Sequence, residues 1–316
     1  MTRLSFGIPV YNGEPYLAPA LRSIQEQDIS DIRIIISDNG SSDGTQAICR
    51  AAAAEDDRIR YYRYEQNRGG TWNFQNVARL CDTELFSWMA ADDIKLPAFS
   101  SAALRALDNA GPGTVFSYPR TRLIDGAGTV YEDLNDADLG MDALSAHERV
   151  RNMLRAQASQ PMYGVIRMSE LRKTRGFRSL LGPDIVLLTE LLCLGGMATA
   201  DEQAFLQRRH DTQVSVQGSE ASWWFAPGQR GHRSFAETRT NIEIYRGVLH
   251  IDLPFAEKVR TCATVGPSWV FPRWRAMARD VANAIGIKPS AGRLRAQQEA
   301  QSAARQTPGS DERRSA

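Results

Sequence analysis

Two adjacent carboxylates, Asp92 and Asp93, close an apolar run, Phe86-Ser87-Trp88-Met89-Ala90-Ala91, that has the composition of a buried strand. In an open α/β sheet, ligands collect beyond the carboxyl ends of the strands, so the pair is predicted to face a crevice. Hard oxygen donors in that position suit Mg²⁺ or Mn²⁺ carrying a diphosphate. Taken alone, the same two acids also read as a turn and helix cap ahead of Pro97.

Other reactive side chains stand at other predicted element ends. Asp38 ends the second strand, where its carboxylate fits the imide N–H of a uracil or thymine, a ribose hydroxyl, or simply its own Asx-turn. Arg68, in the loop Asn67-Arg68-Gly69-Gly70, offers a fork of donors to phosphate oxygens or to water. Asp184 follows Pro183 at a helix start; the helix dipole supports its ionised form, either as an N-terminal acid or as a general base. His210, after Arg208-Arg209, completes an Asp/His metal site if the fold brings it to Asp93, and otherwise is an ordinary histidine. Gly40 and Gly44 superficially suggest a phosphate loop. Neither G-x-G-x-x-G nor G-x-x-x-x-G-K-[ST] is present, which argues against dinucleotide oxidoreductases and P-loop enzymes.

The elements that must hold these groups alternate. Leu4–Val10 is a predicted strand, followed by a helix from Pro15 with Tyr16, Leu17, Ala20, Leu21 and Ile24 on one face. Strands over Ile32–Ser37 and Ile59–Tyr64 alternate with helices over Thr45–Ala54 and Thr71–Cys81. Such alternation predicts a largely parallel, doubly covered sheet. Beyond Pro97 the reading is a helix to about Asn109, a strand Thr114–Ile124 turning at Asp125-Gly126-Ala127-Gly128, and a helix Ser145–Gln157. It continues with a short strand Tyr163–Arg167, a helix from Pro183 to Leu194 capped by Gly195-Gly196, and a last strand Ala204–Arg209. From Ser219 the pattern is helical, and a tail from about Lys288 is predicted to be disordered.

Composition bounds the rest. At 316 residues with 42% hydrophobic side chains the chain can bury a core, and 38 basic against 37 acidic residues leave no field that would attract nucleic acid. Four dispersed cysteines and a strand pattern that begins at Leu4 predict a reduced, cytoplasmic chain. Leu180–Ala200 is interrupted by Asp184 and Glu190 and is not expected to span a membrane.

Together, Ile8-Pro9-Val10-Tyr11-Asn12, Ser37-Asp38-Asn39-Gly40-Ser41-Ser42-Asp43-Gly44-Thr45 and Ala91-Asp92-Asp93 resemble the family 2 glycosyltransferases of the GT-A fold, over roughly residues 4–215. The resemblance implies a Rossmann-like, mostly parallel sheet with helices on both faces. It also implies a catalytic domain 1–215, with a nucleotide-binding half 1–95 and an acceptor half 96–215, then a helical C-terminal region 216–287 and a tail 288–316. Pro9, Tyr11 and Asp38 would hold the nucleotide, with Glu14 near it; Arg68, read from its own fork of donors, would reach the phosphates. The family's Asp-x-Asp element falls on Ala91-Asp92-Asp93; its first acid is missing, so Asp93 becomes the metal ligand and Asp92 faces ribose or sugar. Asp184 inherits the catalytic base and His210 a place on the metal, Mg²⁺ or Mn²⁺.

The implied reaction is inverting transfer of a hexosyl or deoxyhexosyl unit from a UDP- or dTDP-sugar to an acceptor hydroxyl, in polysaccharide or glycolipid synthesis. A sugar nucleotidyltransferase and a decayed sugar-nucleotide-binding module are the rival readings. Trp269, Phe271, Trp274, Met277 and Val281 with Arg273, Arg275 and Arg279 fit either an appendage packed on the catalytic domain or a helix lying at the inner face of a membrane beside a lipid-linked acceptor.

Overall fold

In the computed structural model, which describes residues 2–210 and 235–285, strand β1 (Leu4–Val10) is buried along its whole length. A strand covered on both faces carries no polar alternation, which is why this one reads as a continuous run. After it come α1 (Glu14–Gln25), β2 (Ile32–Asp38), α2 (Thr45–Glu55), β3 (Ile59–Arg63), α3 (Gly70–Arg79) and β4 (Leu85–Trp88). β1 pairs in parallel with β2 and with β4, and β2 with β3; Val10 lies opposite Asp38, and Gly7 opposite Trp88. The carboxyl ends of these four strands therefore share one edge.

Both faces of β1 are covered by helices. Phe6 meets the Phe99 ring of α4 (Phe99–Asn109), with centroids 6.2 Å apart. Its neighbour Gly7 points the other way, as successive strand residues must. A Cβ at Gly7 would lie 2.6 Å from the Phe86 ring and 3.0 Å from Val77 of α3, so only glycine lets α3 approach this closely.

The second half is β5 (Ile94–Lys95), α4, β6 (Thr114–Ile124), β7 (Val130–Asp133), α5 (Ala146–Ala156), a tight turn Gln160–Tyr163, β8 (Val165–Arg167), α6 (Met168–Leu171), α7 (Pro183–Leu194) and β9 (Gly196–Arg208). The sheet runs β3-β2-β1-β4-β8-β6-β9-β5, with β7 paired to β6. It is parallel through the first four strands and mixed beyond, because β8 runs antiparallel to β4 and β6, and β5 antiparallel to β9. This is the curled mixed sheet of a GT-A fold.

Three local expectations change. The strand expected from Ala204 begins at Gly196; its first half alternates small and partly exposed residues and lacks an apolar signature. Gly195 is extended (φ −178°) instead of left-handed, and glycine is needed there because a Cβ would come within 2.3 Å of the Gly113 carbonyl oxygen. The strand expected from Tyr163 starts at Val165, the preceding residues forming the tight turn.

α8 (Ala236–His250), α9 (Phe255–Val265), a π-turn (Gly266–Val270) and α10 (Trp274–Ala284) follow, with α8 packed on α7 and α9 on α5. α7 is buried on every side except at Asp184 and Leu194, so its fully enclosed Glu190 requires a partner. Arg175 supplies it at 2.7 Å and reaches Glu243 of α8 at 2.8 Å, tying the helices together. Among the described residues no helix is long and apolar enough to cross a membrane. Trp269 is buried while Phe271 and Trp274 are exposed. The expectations for residues 211–215, for the helical pattern over 219–234 and for the tail from Lys288 lie outside the described residues.

Gly7→Ala should destabilise the protein by about 1–3 kcal/mol, the cost of overpacking a filled core, as read by urea denaturation. An unchanged midpoint would mean that α3 can shift away at no cost.

Candidate active site

A cavity of about 690 Å³ opens at the shared strand edge. β1 delivers Pro9 and Tyr11 to its wall, the turn after β4 delivers Asp92 and Asp93, the first turn of α7 delivers Asp184, and the end of β9 delivers His210. The α3 wall contributes Thr71, whose buried hydroxyl has no hydrogen-bond partner among the described residues. A polar atom left so is costly unless a ligand or water satisfies it.

The two adjacent acids differ sharply. Asp93 is only 1% exposed, and its Oδ1 accepts the Arg208 backbone N–H at 2.8 Å. Burial pushes its pKa well above the ordinary carboxylate value and the neighbouring Asp92 charge adds to this; the Arg208 N–H, Arg209 and Lys95 pull it back. Asp92 is half-buried, and its Oδ2 lies 3.0 Å from His210 Nε2. The imidazole therefore pairs with Asp92, the neighbour of the expected partner Asp93. Tyr16 packs on the His210 ring at 4.7 Å between centroids, which makes it part of the site and not merely a core position of α1.

Lys95, two residues after Asp93, is fully enclosed. Its ammonium donates to Ser87 Oγ at 2.5 Å, the Trp88 carbonyl at 3.0 Å and the Tyr163 carbonyl at 2.7 Å, and lies over the Phe99 ring at 3.9 Å. Burial pushes its pKa well down, with Asp93 opposing. No local signal marks such a lysine, since a Lys beside a turn normally reads as solvated.

Asp184 sits in the first turn of α7, entered through Gly182 in the left-handed region (φ 69°) and Pro183. Burial raises its pKa, while the N–H groups of Asp184 and Ile185 and the Ser159 hydroxyl, which favour the anion, hold it down. A carboxylate so balanced in a cavity wall is suited to accept a proton.

Three of the proposed nucleotide contacts do not line this cavity. Asp38 is fully buried; its oxygens accept from the Ser41 N–H at 2.8 Å and the Tyr61 hydroxyl at 2.8 Å, with Arg63 Nε at 3.4 Å. Two of its acceptor positions thus serve the Asx-turn after β2 and a tyrosine of β3. Glu14 reaches across to α2, its Oε2 accepting the Gly44 N–H at 2.8 Å at that helix's start. Arg68 is exposed and stacks its guanidinium on Trp72 at 4.8 Å and Tyr64 at 5.4 Å.

For a divalent ion, the described residues contain no group of three His, Cys, Asp or Glu side chains able to hold one unaided. The adjoining Asp92 carboxylate and His210 imidazole, with Asp93 beside them, still fit an ion that takes its remaining oxygens from a bound diphosphate.

Residues 5–136 match the family described as Glycosyl transferase family 2. The chain is similar to the GalNAc(5)-diNAcBac-PP-undecaprenol beta-1,3-glucosyltransferase of Campylobacter jejuni, 28% identical over 60% of each chain. It is 32% identical to an uncharacterised glycosyltransferase of Rickettsia typhi over 39% of this chain and 37% of that one. The chain thus spans less than two thirds of either relative. Among solved structures its fold matches Staphylococcus aureus TarS residues 1-349, with TM-score 0.64, 14% identity and coverage of 90% of this chain and 75% of that chain. It also matches the mannosyltransferase PcManGT of Pyrobaculum calidifontis in complex with GDP-Man and Mn²⁺, with TM-score 0.55, 16% identity and coverage of 95% and 80%.

Asp93→Asn keeps an oxygen for the Arg208 N–H and removes the buried charge. Because the folded-state pKa is raised, ionisation weakens the fold as pH rises through that pKa, and below the unfolded value the penalty vanishes. The variant should therefore melt above the unmodified protein near neutral pH, with the difference fading toward about pH 4, the ordinary carboxylate range. A lower melting temperature at neutral pH would refute the assignment of Asp93 as a strained charge.

Proposed function

We propose, from the match of residues 5–136 to Glycosyl transferase family 2, that this chain is an inverting transferase moving a sugar from a UDP- or dTDP-linked donor to a hydroxyl of a lipid-linked saccharide. The observation that carries this reading is the single cavity shared by Asp92, Asp93 and His210 with Asp184. One acid cluster suits a divalent ion that would neutralise the departing diphosphate, and a separate carboxylate suits the incoming hydroxyl. The similarity to an undecaprenol-linked glucosyltransferase supports the acceptor class, and TarS, also known with UDP and with UDP-GlcNAc, supports the donor class. The reaction places the chain in polysaccharide or glycolipid synthesis.

In this reading Pro9 and Tyr11 wall the nucleoside, and Thr71 supplies a hydroxyl that needs a partner. Asp38 and Glu14 act one step back: each fixes the loop between β2 and α2, whose Ser41 hydroxyl in turn takes the Asn12 N–H at 2.9 Å and so shapes the turn after Tyr11. Asp92, Asp93 and His210 would hold Mg²⁺ or Mn²⁺ together with the diphosphate, and the ion would supply Lewis-acid neutralisation of the leaving group.

Asp184 takes the proton from the acceptor hydroxyl as that oxygen bonds to the anomeric carbon. The bond from that carbon to the diphosphate oxygen breaks, its electron pair leaves with the nucleoside diphosphate, and configuration inverts in one displacement. The aspartate's raised pKa means that the proton it must shed on the acid side comes off later than from an ordinary carboxyl group.

Asp184→Asn should lower the transfer rate about a hundredfold or more. Ser159→Ala, by removing a hydroxyl that favours the anion, should move the acid limb of the pH–rate profile upward; a limb that stays put excludes Asp184 as the group titrating there. Calorimetric titration of UDP with and without Mn²⁺ reads the second half of the proposal. Mn²⁺ should tighten UDP binding and Asp92→Ala should erase the gain; an equal gain in the variant places the ion elsewhere.

A further inference from the structure

The part of the cavity wall contributed by the C-terminal helices differs chemically from the rest. Arg273 lays its guanidinium 4.0 Å from the centre of the Trp269 indole and reaches Glu237 Oε2 at 3.3 Å and Gln157 Oε1 at 3.2 Å. The indole is fixed, since its N–H donates to Asn241 Oδ1 at 3.1 Å. Arg273 keeps 29% and Glu237 15% of its side-chain surface open, and all four residues line the cavity that holds Asp184. Thr240, a turn further along α8, donates its hydroxyl to the Leu181 carbonyl at 2.5 Å and so couples this wall to the loop that carries the base.

Gln157 adds an independent sign. It ends α5 in the left-handed region, φ 51° and ψ 32°, a place where glycine sits without strain and caps a helix well. A non-glycine residue held in such a conformation calls for a reason, and here the side chain it retains reaches Arg273.

We infer that Glu237, Gln157 and Arg273 form a subsite for a neutral sugar ring of the acceptor, a hexose or N-acetylhexosamine; the inference rests on the transferase reading above. A carboxylate, an amide and a guanidinium side by side both accept and donate hydrogen bonds, as sugar hydroxyls require of a partner. Their charges cancel. A phosphate or uronate approaching Arg273 meets the Glu237 carboxylate beside it, so the wall discriminates against anions.

The test titrates UDP-loaded protein with neutral p-nitrophenyl glycosides of glucose, galactose and N-acetylgalactosamine, and with the p-nitrophenyl glucuronide, UDP affinity being read in parallel. At least one neutral glycoside should bind with millimolar affinity, about tenfold or more tighter than the glucuronide, and Glu237→Gln and Arg273→Gln should each weaken it about tenfold. Gln157→Gly separates recognition from scaffolding: relief of backbone strain keeps or raises the melting temperature while glycoside affinity falls. This variant also serves where the other two disturb the C-terminal helices. The subsite is overturned if no neutral glycoside binds at about 10 mM, if the glucuronide binds as well as the best neutral one, or if the three variants leave affinity within about twofold. Failure of the unmodified protein to bind any nucleoside diphosphate would instead defeat the transferase reading.

Discussion

Arg208 is the residue on which the site's geometry depends. Its backbone N–H donates to Asp93 Oδ1 at 2.8 Å, its Nε to the Asp92 carbonyl at 2.8 Å, and its Nη1 to the carbonyls of Asp125 and Gly126 at 3.0 and 3.1 Å. The same guanidinium lies 4.9 Å from the Tyr16 ring centre. One nearly buried side chain thus binds the end of β9, the turn after β4, the β6–β7 hairpin and α1. The planar, permanently charged fork is suited to hold several carbonyls in fixed directions at once. Because His210 follows two residues later, fixing Arg208 also delivers the imidazole to Asp92.

Around that junction the fold accepts charges that water would stabilise better. Asp93 and Lys95 are enclosed within two residues of each other, one pushed toward its neutral acid and the other toward its neutral amine. Each offsets part of the other's burial cost without direct contact, since the ammonium is committed to Ser87, Trp88 and Tyr163. Those three bonds hold the end of β4 against the turn before β8 and keep Tyr163 on the cavity wall. The arrangement is typical of sites in which local stability is given up for a preset electrostatic environment.

The C-terminal helices have a different relation to the sheet. Arg175 bridges Glu190 and Glu243, so α8 is fixed to the nearly enclosed α7 by a charge pair that neither helix could enclose alone. Through that attachment Glu237, Trp269 and Arg273 reach a cavity whose reactive acids all come from the first 210 residues. The aromatic stretch therefore divides: Trp269 faces inward while Phe271 and Trp274 remain exposed.

Strand and helix periodicity, glycine and proline punctuation and the acids at strand ends are local properties, and they made the first four strands, α7 and the Asp92-Asp93 turn legible in the chain itself. What the sequence could not carry is how each carboxylate's lone pairs are consumed. Asp38 and Glu14 look available as residue types; Ser41 and Tyr61 bind the first and Gly44 the second, and Tyr61 and Gly44 stand 23 and 30 residues away along the chain. The enclosed Lys95, the Asp92–His210 pair and the Glu237–Arg273 wall likewise arise from approaches between segments far apart along the chain. Local chemistry determined where reactive groups stand, and tertiary packing decided which of them line one cavity, because only the folded chain brings segments so far apart in sequence to a common wall.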